Sequence, residues 1–507
     1  MSKPTKGMFH SLGYMLAAHL TNSIISLVRM KLLALLVGPS GIGILGLLQS
    51  IQSTSTSLAG LGIVTSSVRQ VAQTQSDPQV FPLIKSALFF GVLLQGVAAM
   101  IAVWVFSEPL AKWFFNDPGY GHQVGLLAIA ILLTMIGSSQ VALLQGFRKV
   151  KDLSLIIAIT ALASTAVGLL VISWIGEEGI IWFLLAQAVI NIIVAHVFVR
   201  KIEIRTSTKT SFPMLLERWM QMARLGIPFM LGALVTAATL LAVRSIIVDK
   251  AGLDAAGYFS ASWSISLLVL NFILQAMHTD FYPRLSSNGT DKKQTAELIS
   301  GQILVNLSAG GPIILFVILS APFLVTLLFS ESFAPTVELL QWLCVGNVMK
   351  LVSLPLSYVL AARGQSVLFF IAEALWNGLF IVIILLGYDQ LDLTIVGISY
   401  CTAYAFFFIA HIVYLQIFLN LRAASDALQI SAIMIGVSII VFALSNGYGA
   451  YGIGFGALIA IVASVLALRA VVARTMRSST AVPTLILRVC KIIGLPLRDP
   501  EASSNTK

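Results

Sequence analysis

The stretch SLVRMKLLALLVGPSGIGILGLLQS, residues 26–50, decides the fold. It holds two continuous apolar runs on either side of the turn signal Gly38-Pro39-Ser40-Gly41. The runs do not alternate, so they are not strands with one wet face. In lipid, backbone groups must pair within their own segment, and about 20 apolar residues in a helix cross a hydrocarbon core about 30 Å thick. The stretch therefore reads as the end of one membrane-crossing helix, a tight turn, and the start of the next. Two basic residues, Arg29 and Lys31, stand inside the first of them.

The pattern continues outward from there. Fourteen apolar segments can be drawn, at roughly 9–37, 41–66, 82–106, 123–147, 153–175, 178–199, 223–248, 256–279, 299–329, 335–362, 366–387, 393–420, 428–445 and 449–473. Over the 507 residues, 58% are hydrophobic and only 10% charged, against about 25% charged in a soluble domain. A soluble enzyme, a disordered chain and a nucleic-acid-binding domain are excluded. The N-terminal apolar run is too long for a signal peptide and reads as the first retained span. Cys344, Cys401 and Cys490 suggest neither a disulfide framework nor a metal site, and no cofactor is expected.

The net charge of +10 has a topological origin. With the N-terminus in the cytoplasm, alternating the fourteen spans puts nearly all loop Lys and Arg on the cytoplasmic side, among them Arg69, Arg148, Lys149, Arg200, Arg284 and Arg363. The opposite side receives Lys112 and Lys250, and the acids Glu108, Asp117, Glu177, Glu178, Asp249, Asp254, Glu331, Asp389 and Asp392. Both termini are then cytoplasmic. The sequon Asn288-Gly289-Thr290 falls on that side as well. From Val482 to Gly494 the tail is apolar, with Arg488 and Lys491 one turn apart. It reads equally as a short interfacial helix or a loosely ordered tail.

The chain also repeats. Arg29, Arg69 and Arg148 are the arginines of the first 199 residues, and each has a counterpart 215 positions on, at Arg244, Arg284 and Arg363. At a separation of 214, Gly43 meets Gly257 and Ser50 meets Ser264. Six helices per unit is an even number, so the copies share one orientation and their pseudo-twofold axis lies along the membrane normal. The expected fold is an all-α polytopic membrane protein of about fourteen transmembrane helices, two parallel-repeat six-helix lobes plus two extra C-terminal helices. The divisions are 1–199 for the N-lobe, 200–222 for a basic cytoplasmic linker, 223–420 for the C-lobe, 421–474 for helices 13 and 14, and 475–507 for a cytoplasmic tail.

Charged groups inside the spans carry the functional information, because each costs about 2.5–3.5 kcal/mol at mid-membrane on insertion scales. They are Arg29 and Lys31 in helix 1, Arg244 in helix 7, Lys350 in helix 10 and Glu373 in helix 11. Snorkelling to a headgroup is one reading for the cations. The other is a shared cavity that attracts an anion, since every acid of the first 199 residues maps to a loop. Arginine offers planar bidentate hydrogen bonding to phosphate, so the inferred cargo bears a phosphate or pyrophosphate. Substrate binding is thus expected of Arg29 and Arg244, with Lys31 and Lys350 as lesser contributors. Lys350 and Glu373 read as an ion pair, structural or a switch that exchanges partners. His19, His196, His278 and His411 read as hydrogen-bonded helix-packing residues, with a proton relay as the alternative. Asn22, Gln49, Gln52, Gln95, Asn271, Gln275 and Asn347 suit sugar hydroxyls or interhelical hydrogen bonds. GIGILG at 41–46 matches a dinucleotide fingerprint in letters only, because it follows a membrane helix rather than a strand.

With these residues in view the chain resembles a known group. SLVRMKLLALLVGPSGIGILGLLQS at 26–50, SSVRQVA at 66–72 and ARLGIPFMLGAL at 223–234 are similar to the Wzx-type O-antigen and exopolysaccharide flippases of the multidrug/oligosaccharidyl-lipid/polysaccharide exporter superfamily. The resemblance spans most of 9–420. It implies two six-helix lobes around a central cavity and alternating access. The cargo it implies is an undecaprenyl-pyrophosphate-linked oligosaccharide, moved from the inner to the outer leaflet of a bacterial inner membrane. Implied partners are membrane lipid, a glycan polymerase and chain-length machinery. The related lipid II flippases carry a cavity-facing arginine in helix 1, and Arg29 stands at the matching place. They follow it with an acid, where this chain has Met30.

Two other functions compete. A drug or cation antiporter of the same superfamily wants a buried carboxylate in the first lobe, and the sequence offers none. A glycan polymerase or ligase wants a sizeable outer loop, and the longest expected here, 107–122, is short. The chain is therefore not expected to be an enzyme.

Overall fold

A computed structural model describes residues 5–75, 77, 80–202, 211–277, 281–287, 291–420, 425–447 and 449–477. His278, the 288–290 sequon, most of the basic 200–222 segment's first half and the 482–494 tail lie outside them, as do the side chains of His19 and Gln275. Every element among the described residues is helical.

The first helix, α1, runs Thr5–Ala59 but breaks into two arms at Gly38, whose φ of 64° and ψ of −166° no helix accommodates. Beyond it lie α2 (Ile63–Thr74), α3 (Val80–Val105), α4 (Ser107–Phe115), α5 (Gly121–Gly146), α6 (Val150–Ile175) and α7 (Gly179–Val199). Next is α8, Phe212–Ala276, with its own break at Gly252 (φ 82°, ψ −178°). The remainder are α9 (Tyr282–Ser287), α10 (Lys292–Leu328), α11 (Thr336–Ala362), α12 (Ser366–Leu391), α13 (Thr394–Phe418), α14 (Ser425–Gly447) and α15 (Gly449–Arg477). Eleven apolar stretches among the described residues are long enough to cross a bilayer. Three of them hold two crossings each: the arms of α1, the pair α6 and α7, and the arms of α8. That makes fourteen.

The repeat is visible in backbone geometry. Gly38 and Gly252 stand 214 apart and share one conformation, open to glycine because a Cβ would strain at positive φ. The turns after α5 and α11 also match. In the first, Arg148 N–H donates to Gln145 O (2.9 Å) and Lys149 N–H to Leu144 O (3.0 Å). In the second, Gly364 N–H donates to Ala361 O (3.1 Å) and Gln365 N–H to Leu360 O (2.9 Å). Both are Schellman caps, with Arg148 (φ 54°) and Gly364 (φ 73°) in the left-handed position. Those two residues are 216 apart. The arginine spacing of 215 is therefore in register with neither landmark: it lies one residue off at the kinks and one off at the caps.

The described chain forms two compact units. The first contains residues up to Ala261 with Val325–Thr336 and Ile381–Leu393; the second contains Ser262–Leu324, Val337–Phe380 and the chain from Thr394 on. In the first unit the second arms of α1 and α8 cross at the repeated glycines. A Cβ on Gly43 would lie 2.2 Å from Leu253 O, and one on Gly257 would lie 2.0 Å from Pro39 O. Pro39 and Leu253 are themselves 214 apart, so the two contacts are copies of each other. Ser66 Oγ, on α2, donates to Met222 O of α8 at 2.9 Å. These contacts are why the start of the second repeat packs with the first. In the second unit α11 is the most enclosed span, while α12 and α14 leave apolar residues such as Leu375 and Ile439 exposed.

Contacts in the first unit join residues that the expected topology puts on one side of the membrane. Lys250 pairs with Asp389 at 2.8 Å, Ser40 donates to Glu177 at 2.6 Å and Ser245 to Trp113 O at 2.9 Å. Trp104, Trp113, Trp174 and Trp182 are exposed at the helix ends of that same side, as an interfacial aromatic belt requires.

Candidate functional site

Arg29 stands on the first arm of α1, nine residues before its kink at Gly38. It is half-buried. Its guanidinium lies 5.7 Å from the ring centroid of Phe183 on α7, and Nη2 donates a long 3.4 Å bond to Ser26 Oγ. The acids of the first 199 residues stand at turns or in first turns of helices: Asp77, Glu108, Asp117, Asp152, Glu177 and Glu178. The one salt bridge within 4 Å among the described residues is Lys250–Asp389. Arg29 thus has no carboxylate within 4 Å among the described residues, and its one hydrogen bond is long.

Arg244 has other surroundings. It stands on the first arm of α8, eight residues before the kink at Gly252. One residue is about 100° around a helix, so the two arginines face different directions from their arms. Arg244 is only 9% exposed. Nη1 donates to Ser50 Oγ on the second arm of α1, Nε donates to Ser260 Oγ at 3.2 Å, and the guanidinium lies 5.5 Å from the Phe259 ring centroid.

Lys31 reaches the far end of α10. Its Nζ donates to Thr326 O at 3.1 Å and to Phe329 O. These carbonyls lie at the C-terminal end of α10, where a cation meets the negative end of the helix dipole. We expect Lys31→Met, which keeps the apolar stem, to destabilise the protein by about 1 kcal/mol in detergent unfolding. Unchanged stability would show that these carbonyl contacts do not hold α1 to the end of α10.

Lys350 and Glu373 lie in the second unit without forming a salt bridge. Lys350 Nζ sits 5.3 Å from the Tyr404 ring centroid. Glu373 Oε2 accepts from Trp376 Nε1 at 2.7 Å, and Trp376 packs on Tyr404 at 4.6 Å. Each charge thus has an aromatic neighbour, while the two still lie near enough to act on each other electrostatically. Alongside, Tyr400 donates to Asn347 Oδ1 (2.9 Å) and Asn347 Nδ2 to Ser266 Oγ (2.6 Å). Of the other polar residues, Gln52 donates to Thr134 Oγ1 at 2.8 Å, bridging α1 and α5. His411 is buried, with Nδ1 against Phe407 O at 2.8 Å. Both are packing contacts of the expected kind.

Sequence reasoning missed Phe183, Ser260, Phe259, Tyr404 and Trp376. Aromatic and serine positions carry no charge signal, and only Ser50 was marked in advance, through its match with Ser264.

The model of the polysaccharide biosynthesis protein family matches residues 9–288. The lipid III flippases of Escherichia coli (strain K12) and Shigella flexneri are 26% identical over 352 residues, which covers 68% of this chain and 82% of each flippase. Among solved structures, lipid II flippase MurJ in an inward closed conformation superposes with a TM-score of 0.64 at 14% identity, covering 90% of this chain and 98% of MurJ. An inward-facing multidrug resistance MATE family transporter of the MOP superfamily gives a TM-score of 0.61 at 16% identity, covering 78% of this chain and 94% of the transporter. The fold is common to both.

Proposed function

The chain belongs to the polysaccharide biosynthesis protein family, and from that premise we propose that it is a flippase of lipid-linked oligosaccharide. The cargo is an undecaprenyl-pyrophosphate-linked repeat unit of O-antigen, exopolysaccharide or enterobacterial-common-antigen type. It passes from the inner to the outer leaflet of a bacterial inner membrane by alternating access, with both termini of the chain cytoplasmic.

One observation carries this reading: Arg29, half-buried on a membrane-crossing arm, has no carboxylate within salt-bridge reach and its one hydrogen bond is long. A cation in a span with so few protein partners is stabilised when an anionic group arrives to meet it. Arg29 is accordingly assigned to the diphosphate. Lys350, with its ammonium on an aromatic face, is a second cation open to an anionic group. Glu373 is the group whose partner changes during the cycle. The naming of the two lipid III flippases supports the cargo class.

The cation-antiporter reading has the MATE fold in its favour but lacks a carboxylate among the first six spans. A strain deleted for the gene separates the possibilities. Loss of all surface polymer, restored by this chain, fits the flippase. Single repeat units at the surface would instead indicate a polymerase, and strong dye efflux by the purified protein in vesicles an antiporter.

A further inference from the structure

The two arginines differ for a reason written in the repeat. Counted from the kink glycines, the copies align at a separation of 214: Gly38 with Gly252, Gly43 with Gly257, Ser50 with Ser264. The same register puts Gly46 opposite Ser260 and Leu45 opposite Phe259. The first copy therefore lacks both the hydroxyl and the ring that receive Arg244 in the second. Gly46 also makes space for that arrangement, because a Cβ there would lie 2.2 Å from Ser260 Oγ and 3.1 Å from Arg244 Nε.

Arg244 joins three segments of the first unit. It projects from the first arm of α8, bonds Ser260 on the second arm, and bonds Ser50 on the second arm of α1. Both serines are buried, at 4% and 2% exposure. An isolated positive charge would be costly in such a place, and the serine oxygens and the face of Phe259 offset that cost. A guanidinium serves the two oxygens through Nε and Nη1, two nitrogens held in fixed directions by a planar group, whereas an ammonium must reach both from a single nitrogen on a flexible stem.

We infer that Arg244 is a positioning residue: it clamps the two arms of α8 to the second arm of α1 and leaves the anionic headgroup to Arg29. The inference deepens the flippase reading and rests on it only for the choice of cargo.

Two measurements on the purified full-length protein decide it. The first is binding of farnesyl diphosphate set beside translocation of a fluorescent polyprenyl diphosphate in vesicles. Arg244→Ala and Arg244→Lys are expected to slow translocation more than tenfold while binding changes less than threefold; Arg29→Ala weakens binding about 100-fold. The second measurement is a thermal unfolding cycle, which holds whatever the cargo. Arg244→Ala, the pair Ser50→Ala with Ser260→Ala, and the triple variant should lower the melting temperature by the same amount, and Gly46→Ala should do likewise. Additive shifts, or an Arg244→Ala protein as stable as the parent, overturn the clamp. So does an Arg244→Ala loss of binding equal to that of Arg29→Ala with the serine pair unaffected. A parent protein that binds no polyprenyl diphosphate counts against the flippase reading, and the thermal cycle still rules on the clamp.

Discussion

Replacing Arg29 by alanine is expected to lower diphosphate binding about 100-fold and to reduce surface glycan to near background, at unchanged protein level. The magnitude follows from the chemistry. A bidentate guanidinium–phosphate contact consists of two charge-assisted hydrogen bonds, each contributing about 1.5–3 kcal/mol. A net loss of about 3 kcal/mol is about two decades of affinity. Stability should move the other way. In the protein Arg29 has only a 3.4 Å bond to Ser26 and a ring contact to Phe183 at 5.7 Å, while a charge in a span is costly by about 2.5–3.5 kcal/mol on insertion scales. Removing it should leave the melting temperature equal or raised. Arg29→Lys keeps the charge but loses the planar fork, so binding should fall by about tenfold rather than a hundredfold. Surface glycan unchanged in Arg29→Ala would remove the residue from the site, and a protein that is lost from the membrane would show its role to be structural.

The fourteen crossings were legible because lipid imposes a severe rule: a span must be apolar, continuous and long enough. Most segments drawn from the sequence coincide with helices to within a few residues, but α8 starts eleven residues before the segment at 223, α10 seven before that at 299, and the second arm of α1 stops seven short of 66. The first kink was legible too, as Gly38-Pro39, since turns between spans need glycine, while the second at Gly252 fell unmarked in the gap between the segments at 223–248 and 256–279. What the sequence disguised was the register. Three arginine pairs at a spacing of 215 announce a duplication correctly, but the structural copies align at 214 around the kinks and 216 at the caps. A slip of one residue is immaterial to the existence of a repeat. On a helix it turns a side chain by about 100°, which is enough to send Arg244 between serines and leave Arg29 half-exposed. The weaker matches, Gly43 with Gly257 and Ser50 with Ser264, held the correct register.

The candidate site was less legible for a related reason. Charge inside a span is conspicuous, so all five ionisable residues were found. What each one faces depends on neighbours that are silent in sequence. Lys31 reaches carbonyls nearly 300 positions away, and any carbonyl looks like any other along the chain. Lys350 and Glu373 similarly meet Tyr404 and Trp376, aromatics that in a membrane protein read as ordinary packing.

The second large effect is expected at the crossing of α1 and α8. Gly257→Ala should destabilise the protein by about 3 kcal/mol, and Gly257→Val should prevent it from accumulating in the membrane. The added Cβ would lie 2.0 Å from Pro39 O and 2.7 Å from Pro39 C. A carbon meets a carbonyl oxygen comfortably at about 3.3 Å, so the arms must part by about 1 Å. Both atoms are backbone, and no rotamer change can relieve the clash. Overpacking of a tight contact costs about 1–3 kcal/mol, and the upper end applies where the obstacle is rigid. Helices in lipid also associate through close packing rather than hydrophobic burial, so parted arms lose the very interaction that holds them. Gly43→Ala, whose Cβ would lie 2.2 Å from Leu253 O, should behave the same way because it is the symmetry copy of that contact. Gly378→Ala in α12 is the counter-case: nothing lies within 4 Å of its Cβ, and alanine is favoured over glycine in a helix by about 1 kcal/mol. It should stabilise the protein slightly. Unfolding the three variants in detergent, with the parent alongside, tests the sign as well as the size. If Gly257→Ala and Gly378→Ala shift stability alike, the glycines at the crossing are not what brings the start of the second repeat against the first.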